Sequence, residues 1–222
     1  MNILLLGGTG VIGIPLTEML ADAGNEVYVT TRKIRKTTKP NVTYIVGNAK
    51  NKIFLQDLTI SKDKFDVIID FMSYSTEEFR QRVDMLLESC KHYIFISSCR
   101  VFAESKKTIS ESSPRVLDTT TDEEYLKTDD YALAKARQED ILRNGQNINY
   151  TIIRPSLIYG NSRLQLGAFE KEHWLWRALK GRTIVFSHDM EHKLTAMTHA
   201  NDVAGAIAAI AGEVQTFGKS YP

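Results

Sequence analysis

The sequence predicts an α/β fold: a doubly wound parallel sheet with helices on both faces, followed by a small, truncated C-terminal lobe. Three observations carry this. Short apolar runs alternate with helix-spaced segments from the first residues, glycines separate the first run from the first helix, and the pattern changes beyond Gly160. Residues 2–6 form an apolar run stopped by glycines, the mark of a strand buried on both faces. Residues 11–23 have helical spacing and end at Gly24, a helix-stopping residue. Strands are expected at 26–30, 42–46, 67–71, 93–97 and 151–154. Helical segments are expected at 53–58, 76–89, where Phe79, Val83, Leu86 and Leu87 share one face, and 129–144.

Two segments break the rhythm. Residues 103–127 are polar and contain Pro114. They are too long for an ordinary connection, so they form either a flap or a partly disordered stretch. Beyond Gly160 a Trp-containing helix (168–180), a strand pair (183–186 and 194–198) and a helix (201–212) are expected. The chain thus divides at 160 into a main domain and a substrate-side lobe, 161–222, interleaved with it.

The 222 residues carry a net charge of +1, which implies neither nucleic acid nor an anionic membrane as partner. No apolar stretch reaches the roughly 18 residues of a membrane span, and the run Ile3–Leu6 is too short for a signal sequence. A cytoplasmic location follows as the expectation. Cys90 and Cys99 then read as reduced thiols, and the Asn41-Val42-Thr43 sequon as unglycosylated.

Gly7-Gly8-Thr9-Gly10-Val11-Ile12-Gly13 lies between the first strand and the first helix. Gly7 permits a tight turn, Gly10 lets the backbone approach a pyrophosphate, and Gly13 allows close helix packing. The helix start presents free N–H groups to phosphate. This context predicts a Rossmann-type nicotinamide-dinucleotide site formed by Gly7, Thr9, Gly10, Val11, Ile12 and Gly13.

The G-x-x-G-x-x-G spacing resembles the short-chain dehydrogenase/reductase superfamily, in its extended branch of nucleotide-sugar epimerases and dehydratases. Tyr131 and Lys135 stand at i and i+4 on one helix face and resemble that family's catalytic pair. A phenol titrates near a pKa of ~10; a neighbouring ammonium favours the phenolate, which can then take a proton from a substrate hydroxyl. Ser97-Ser98-Cys99-Arg100-Val101-Phe102 resembles the family's Ser-Ser-x-x-Val-Tyr segment. The match implies Ser98 as the hydroxyl that polarises the substrate oxygen and Ser97 as its neighbour at the cofactor. Arg154-Pro155-Ser156-Leu157-Ile158-Tyr159-Gly160 resembles the Arg-Pro-x-x-x-Tyr-Gly stretch, so Pro155 is implied beside the nicotinamide. Thr198-His199-Ala200-Asn201-Asp202-Val203-Ala204 resembles His-Val-x-Asp-Val-Ala. The likeness runs over nearly the whole chain, in order.

There are departures. NAD-specific members end the second strand with an acid; here Thr31 is followed by Arg32, Lys33, Arg35 and Lys36, which favours a 2′-phosphate and hence NADP over NAD. The Gly-Asp pair that meets adenine is Gly47-Asn48. Small alanines after the fourth strand are replaced by Phe71-Met72-Ser73-Tyr74, so Phe71 and Met72 are implied at the cofactor. That bulk resembles divergent relatives, some of which bind nucleic acid. Cys99-Arg100 stands where sugar dehydratases carry Asp-Glu, which argues against 4,6-dehydration. Relatives continue past Tyr221 with a last strand and a substrate-contacting region, so a shortened lobe is expected. His188-Asp189-Met190-Glu191-His192 matches an inverted zinc-protease pattern, but it falls at an expected hairpin tip and no metal is assigned to it.

The expectation is an NAD(P)-dependent epimerase or ketone reductase acting on a nucleotide-activated sugar, with Ser98, Tyr131 and Lys135 catalytic. The alternative is a non-catalytic dinucleotide-binding or nucleic-acid-associated protein that kept the fold. No membrane partner is expected, and a homodimer stays open as the assembly.

Overall fold

In the computed structural model, residues 1–37, 39–60, 64–167, 169–192 and 194–222 are described. The first strand, β1 (Asn2–Leu6), lies at the centre of a seven-stranded sheet. The chain continues through α1 (Gly13–Asp22), β2 (Glu26–Thr31), β3 (Val42–Val46), α2 (Lys52–Ile60) and β4 (Phe65–Asp70). Next come α3 (Thr76–Arg80), α4 (Val83–Glu88), β5 (Cys90–Ile96), α5 (Val116–Thr119), α6 (Glu123–Leu126), α7 (Tyr131–Asn144) and β6 (Tyr150–Ile153). The last third holds β7 (Leu157–Tyr159), β8 (Gln165–Leu166), β9 (Phe169–Glu170), α8 (Lys171–Leu179), β10 (Met197–His199), α9 (Ala200–Ile210) and β11 (Lys219–Tyr221).

Sheet order is β11-β6-β5-β4-β1-β2-β3, with every pairing parallel. Alternation along each strand separates two cores. Ile3 and Leu5 of β1 face Leu16 and Leu20 of α1 and Ile207 of α9. Leu4 and Leu6 face the opposite cluster, with Leu55, Phe79, Leu86 and Leu142 from α2, α3, α4 and α7. The central strands β1, β4 and β5 are therefore buried on both sides, which is why their runs are nearly continuous in the sequence. The chain reverses its direction of winding between β1 and β4, the place where open sheets of this kind bind ligands.

Several expectations need correction. The single helix at 76–89 is two. Ser75 and Glu78 form a capping box that starts α3, and the helix breaks at Gln81–Arg82, where Arg82 turns inward over Tyr74. The segment 103–127 is ordered: Phe102 bridges Arg115, and α5 and α6 follow. The strand expected at 183–186 is absent; Thr183 instead accepts a hydrogen bond from Arg177 Nε (2.8 Å). The strand expected at 194–198 is β10, which pairs in parallel with β7. The hairpin tip expected at residues 188–192 is instead a 3₁₀ turn (His188–Met190), with His188 beside Glu191. The Trp-containing helix is α8, and Ala168, its expected first residue, lies outside the described residues. Lys219–Tyr221 itself supplies a strand, beside β6, where a last strand was expected only in longer relatives. Of the last third, β11 joins the seven-stranded sheet, while β7 and β10 form a separate two-stranded sheet.

Candidate active site at the carboxyl edge of the sheet

The glycine loop leaves β1 at the point where the winding reverses. Gly7 has φ +73°, a conformation an L side chain resists, and its N–H donates to Thr30 Oγ1 (2.8 Å). A Cβ on Gly13 would lie 2.3 Å from the Gly8 carbonyl oxygen, so only glycine lets α1 begin there. A Cβ on Gly10 would meet nothing within 4 Å, because that face of the loop is open. Ile12 N-caps α1 and provides no side-chain cap, so the first N–H groups of this ten-residue helix have no side-chain acceptor. Ile14 N–H donates to Gly10 O (3.1 Å) and Pro15 has no N–H, so the open space over Gly10 and the positive helix end are what fit the pyrophosphate of a dinucleotide. Thr9 borders the same space, Val11 is half-buried, and the Ile12 side chain belongs to the core, leaving only its backbone to meet a ligand.

A groove of about 470 Å³ runs from this loop past Thr31, Arg32, Asn48, Phe71 and Met72. The Thr31 hydroxyl is engaged with its own turn, donating to Lys33 O and accepting from Lys33 N–H. Asn48 Oδ1 accepts from Lys50 N–H (3.0 Å), which leaves its amide group for a ligand. Arg32 is exposed on the groove wall. Lys50 lines the groove too; sequence reasoning missed it, although it stands two residues past Asn48 in a basic stretch.

On the other side of the winding reversal stands α7. Asp130 caps it by accepting from Ala132 N–H (3.0 Å), which sets Tyr131 as the first helical residue, 39 % exposed, with the Arg100 guanidinium 5.4 Å from its ring centre. One turn on, Lys135 is 3 % exposed. Its Nζ donates to Ile96 O (2.8 Å) and Met72 O (3.4 Å) and sits 4.4 Å from the Phe95 ring centre. Burial pushes the ammonium down to about 8, against the opposing pull of Asp70 and Glu139. Ser98, half-buried, follows β5 and caps a 3₁₀ turn (Cys99–Val101) by accepting from Arg100 N–H (3.2 Å). That turn packs against α7, so the Ser98 turn, Lys135 and the Tyr131 end of the helix share one edge of the sheet.

Ser97 is buried, and its hydroxyl donates to Glu139 (2.7 Å). Glu139 was not singled out in the sequence; its place one turn after Lys135 on the same helix face was the available signal. It also accepts two bonds from Arg154 (both 2.8 Å) and lies 3.5 Å from Arg115 and 3.3 Å from Arg143. Burial works to raise its pKa, but Arg154, Ser97 and Arg143 outweigh that and hold it below the ordinary carboxylate value. Pro155 lies away from the groove, on a second pocket of about 670 Å³ that includes Cys99, Phe102, Ser156 and Thr198.

Fold and glycine loop together define a doubly wound α/β protein with a dinucleotide-shaped edge. The model of the NAD dependent epimerase/dehydratase family matches residues 3–221, and the chain belongs to that family. Its nicotinamide cofactor class comes with that membership. A chloroplast stem-loop binding protein of 41 kDa from Arabidopsis thaliana is 24 % identical over 225 residues, covering 95 % of this chain and 55 % of that protein. The chain spans about half the length of the curated relatives it matches. Among solved structures, Pal of Bacillus thuringiensis superposes with a TM-score of 0.75 at 19 % identity, over 99 % of this chain and 76 % of that one. DesIV of Streptomyces venezuelae, a dTDP-glucose 4,6-dehydratase solved with NAD bound, gives 0.72 at 19 % identity, over 100 % and 74 %. At these identities the structures establish the fold. Among the described residues, no helix is long and apolar enough to cross a membrane.

Proposed function

We propose that the protein is an NAD(P)-dependent oxidoreductase of the extended short-chain dehydrogenase/reductase type that epimerises, or reduces a ketone on, a nucleotide-activated sugar. The observation that carries this reading is the seating of Lys135. A buried ammonium reaches the carbonyls of Ile96 and Met72 from the helix that begins with Tyr131, beside the Ser98 turn. Residues 7–13 would hold the pyrophosphate, Arg32 and Asn48 the adenosine end, and Lys135 the nicotinamide ribose. The dinucleotide, when bound, supplies the acceptor or donor of hydride. Tyr131 takes the proton of the sugar hydroxyl as its carbon is oxidised and returns it on reduction, and Ser98 donates to the oxygen where charge develops. Arg32, without an acid at Thr31, favours NADP. Residues 1–160 would form the cofactor domain and 161–222 the substrate side, in a cytoplasmic enzyme.

The test is Tyr131→Phe, which keeps the ring and removes the oxygen. Turnover of a nucleotide-sugar panel, followed by mass spectrometry, should fall roughly 10²–10⁴-fold while cofactor affinity changes little. A second reading, a dinucleotide-binding protein that associates with nucleic acid, is favoured by the stem-loop binding relative that covers 95 % of this chain. It requires no turnover by the parent, and a Tyr131→Phe protein identical to it in every assay.

A further inference from the structure

The turn after β4 departs most from the small residues expected there, and it is held by a buried acid. Asp70, the last residue of β4, is fully buried. Both its oxygens accept: Oδ1 from Met72 N–H (2.8 Å) and Oδ2 from the Tyr93 phenol (2.8 Å). Burial raises its pKa, while the Met72 N–H, the Tyr93 phenol and the Lys135 charge pull it back toward the ionised form. The peptide carbonyl of that same Met72 accepts from Lys135. One residue is thus gripped through its N–H by an anion and through its C=O by a cation. Its side chain closes the third side, since a Cβ on Gly7 would lie 2.7 Å from Met72 Sδ.

We propose that Asp70 is a positioning residue of the cofactor site: with Lys135 it clamps the Met72 backbone against the glycine loop, and it keeps the ammonium charged and aimed at the ribose position. This rests on the cofactor reading given above. Two carbonyls and an aromatic face do not neutralise a buried ammonium, so a nearby carboxylate is what makes the charged form tenable there. The other charge acting on Lys135 is Glu139, on its own helix, and that carboxylate is shared among Arg154, Arg115 and Arg143. Asp70 is engaged by neutral donors, and Lys135 is the cation that draws it toward the charged form against burial. Tyr74, from the turn itself, also faces Asp70, with Arg82 over its ring. Lys135→Met should leave Asp70 harder to ionise, by the same coupling in reverse.

The experiment uses lysine-labelled protein and heteronuclear NMR, with the Lys135 signal assigned through Lys135→Met. In Asp70→Asn, the Lys135 titration midpoint should fall by roughly one pH unit or more. NADPH affinity should also fall with rising pH about one unit earlier than in the parent. Tyr93→Phe, which removes one donor to the carboxylate, should shift the midpoint in the same direction by less. It serves as the deciding variant if Asp70→Asn does not fold. An unmoved Lys135 midpoint in the folded variant overturns the proposal. The lysine readout needs no cofactor, so it is decided separately from the cofactor reading, which fails if the parent binds neither NADPH nor NADH.

Discussion

Two buried charges stand one turn apart on α7, and their surroundings are opposite. Glu139 is saturated: Arg154 grips both its oxygens, Ser97 donates a third bond, and Arg115 and Arg143 lie close by. Lys135 has carbonyl oxygens and an aromatic face, with the Asp70 carboxylate acting on it across the buried space. The first arrangement spends all its polar capacity on the protein and holds elements together. The second leaves an ammonium with one N–H beyond its two carbonyl partners, beside Met72, which lines the groove. Burial alone does not separate a structural charge from a working one; the completeness of its partner set does.

The strongest way to break that contrast is Glu139→Gln, which strands Arg154 with a neutral partner in a dry site. Stability should fall by about 3–5 kcal/mol, read as a lower urea midpoint. A loss under about 1 kcal/mol would show that the cluster is not structural. His92 sharpens the comparison, being fully buried and uncharged. Its Nδ1 accepts from Gly212 N–H (3.1 Å), and Nε2 meets Thr151 Oγ1 (2.8 Å), whose own proton goes to Thr216 O. Burial pushes its pKa down to about 4, below the ordinary imidazole value. The neutral form is the folded one, so the contribution is complete above pH ~6.5 and is lost as pH falls toward ~4, for about 3 kcal/mol in total. In His92→Gln that window should flatten, which melting curves between those pH values would reveal.

Arg32 offers the exposed counterpart. Arg32→Ala should cost NADPH roughly 1.5–3 kcal/mol and NADH little, in a fluorescence titration. Equal losses would remove the 2′-phosphate assignment. The smallest effect is expected for the stability of Lys135→Met. Loss of a poorly solvated ammonium and loss of support for Asp70 offset each other, so unfolding should stay within about 1 kcal/mol of the parent while NADPH binding collapses. A large loss of stability would place Lys135 in the same class as Glu139.

The sheet was legible because burial on both faces writes nearly unbroken apolar runs, as in Ile3–Leu6 and Val67–Ile69. The glycine loop was legible because Gly7 and Gly13 each meet a steric demand no other residue satisfies. Legibility failed where one polar residue overrode a pattern. Arg82 interrupts an otherwise even helical face because its side chain is drawn to Glu78 O (2.5 Å), Lys50 O and the Tyr74 ring. The run Thr183–Phe186 has strand composition, but no neighbouring strand completes it. In the site, Tyr131, Lys135 and Ser98 could be named from spacing and resemblance. Asp70 could not, because its partners come from β5 and α7; Glu139 offered only its place one turn after Lys135, while its partners Arg154 and Ser97 lie 15 and 42 positions away.

The polar segment at 103–127 takes its order from elsewhere. Its α5 and α6 bury no residue, and Arg115 anchors it to Asp140 (2.7 Å) and the Ala136 carbonyl of α7. Such a segment cannot nucleate. Closing it fixes many residues for few apolar contacts, so its closure waits until α7 has docked on β5 and Glu139 has met Arg154. In folding time it is expected to be a latecomer, and hydrogen exchange should find its amides opening before the rest of the carboxyl edge.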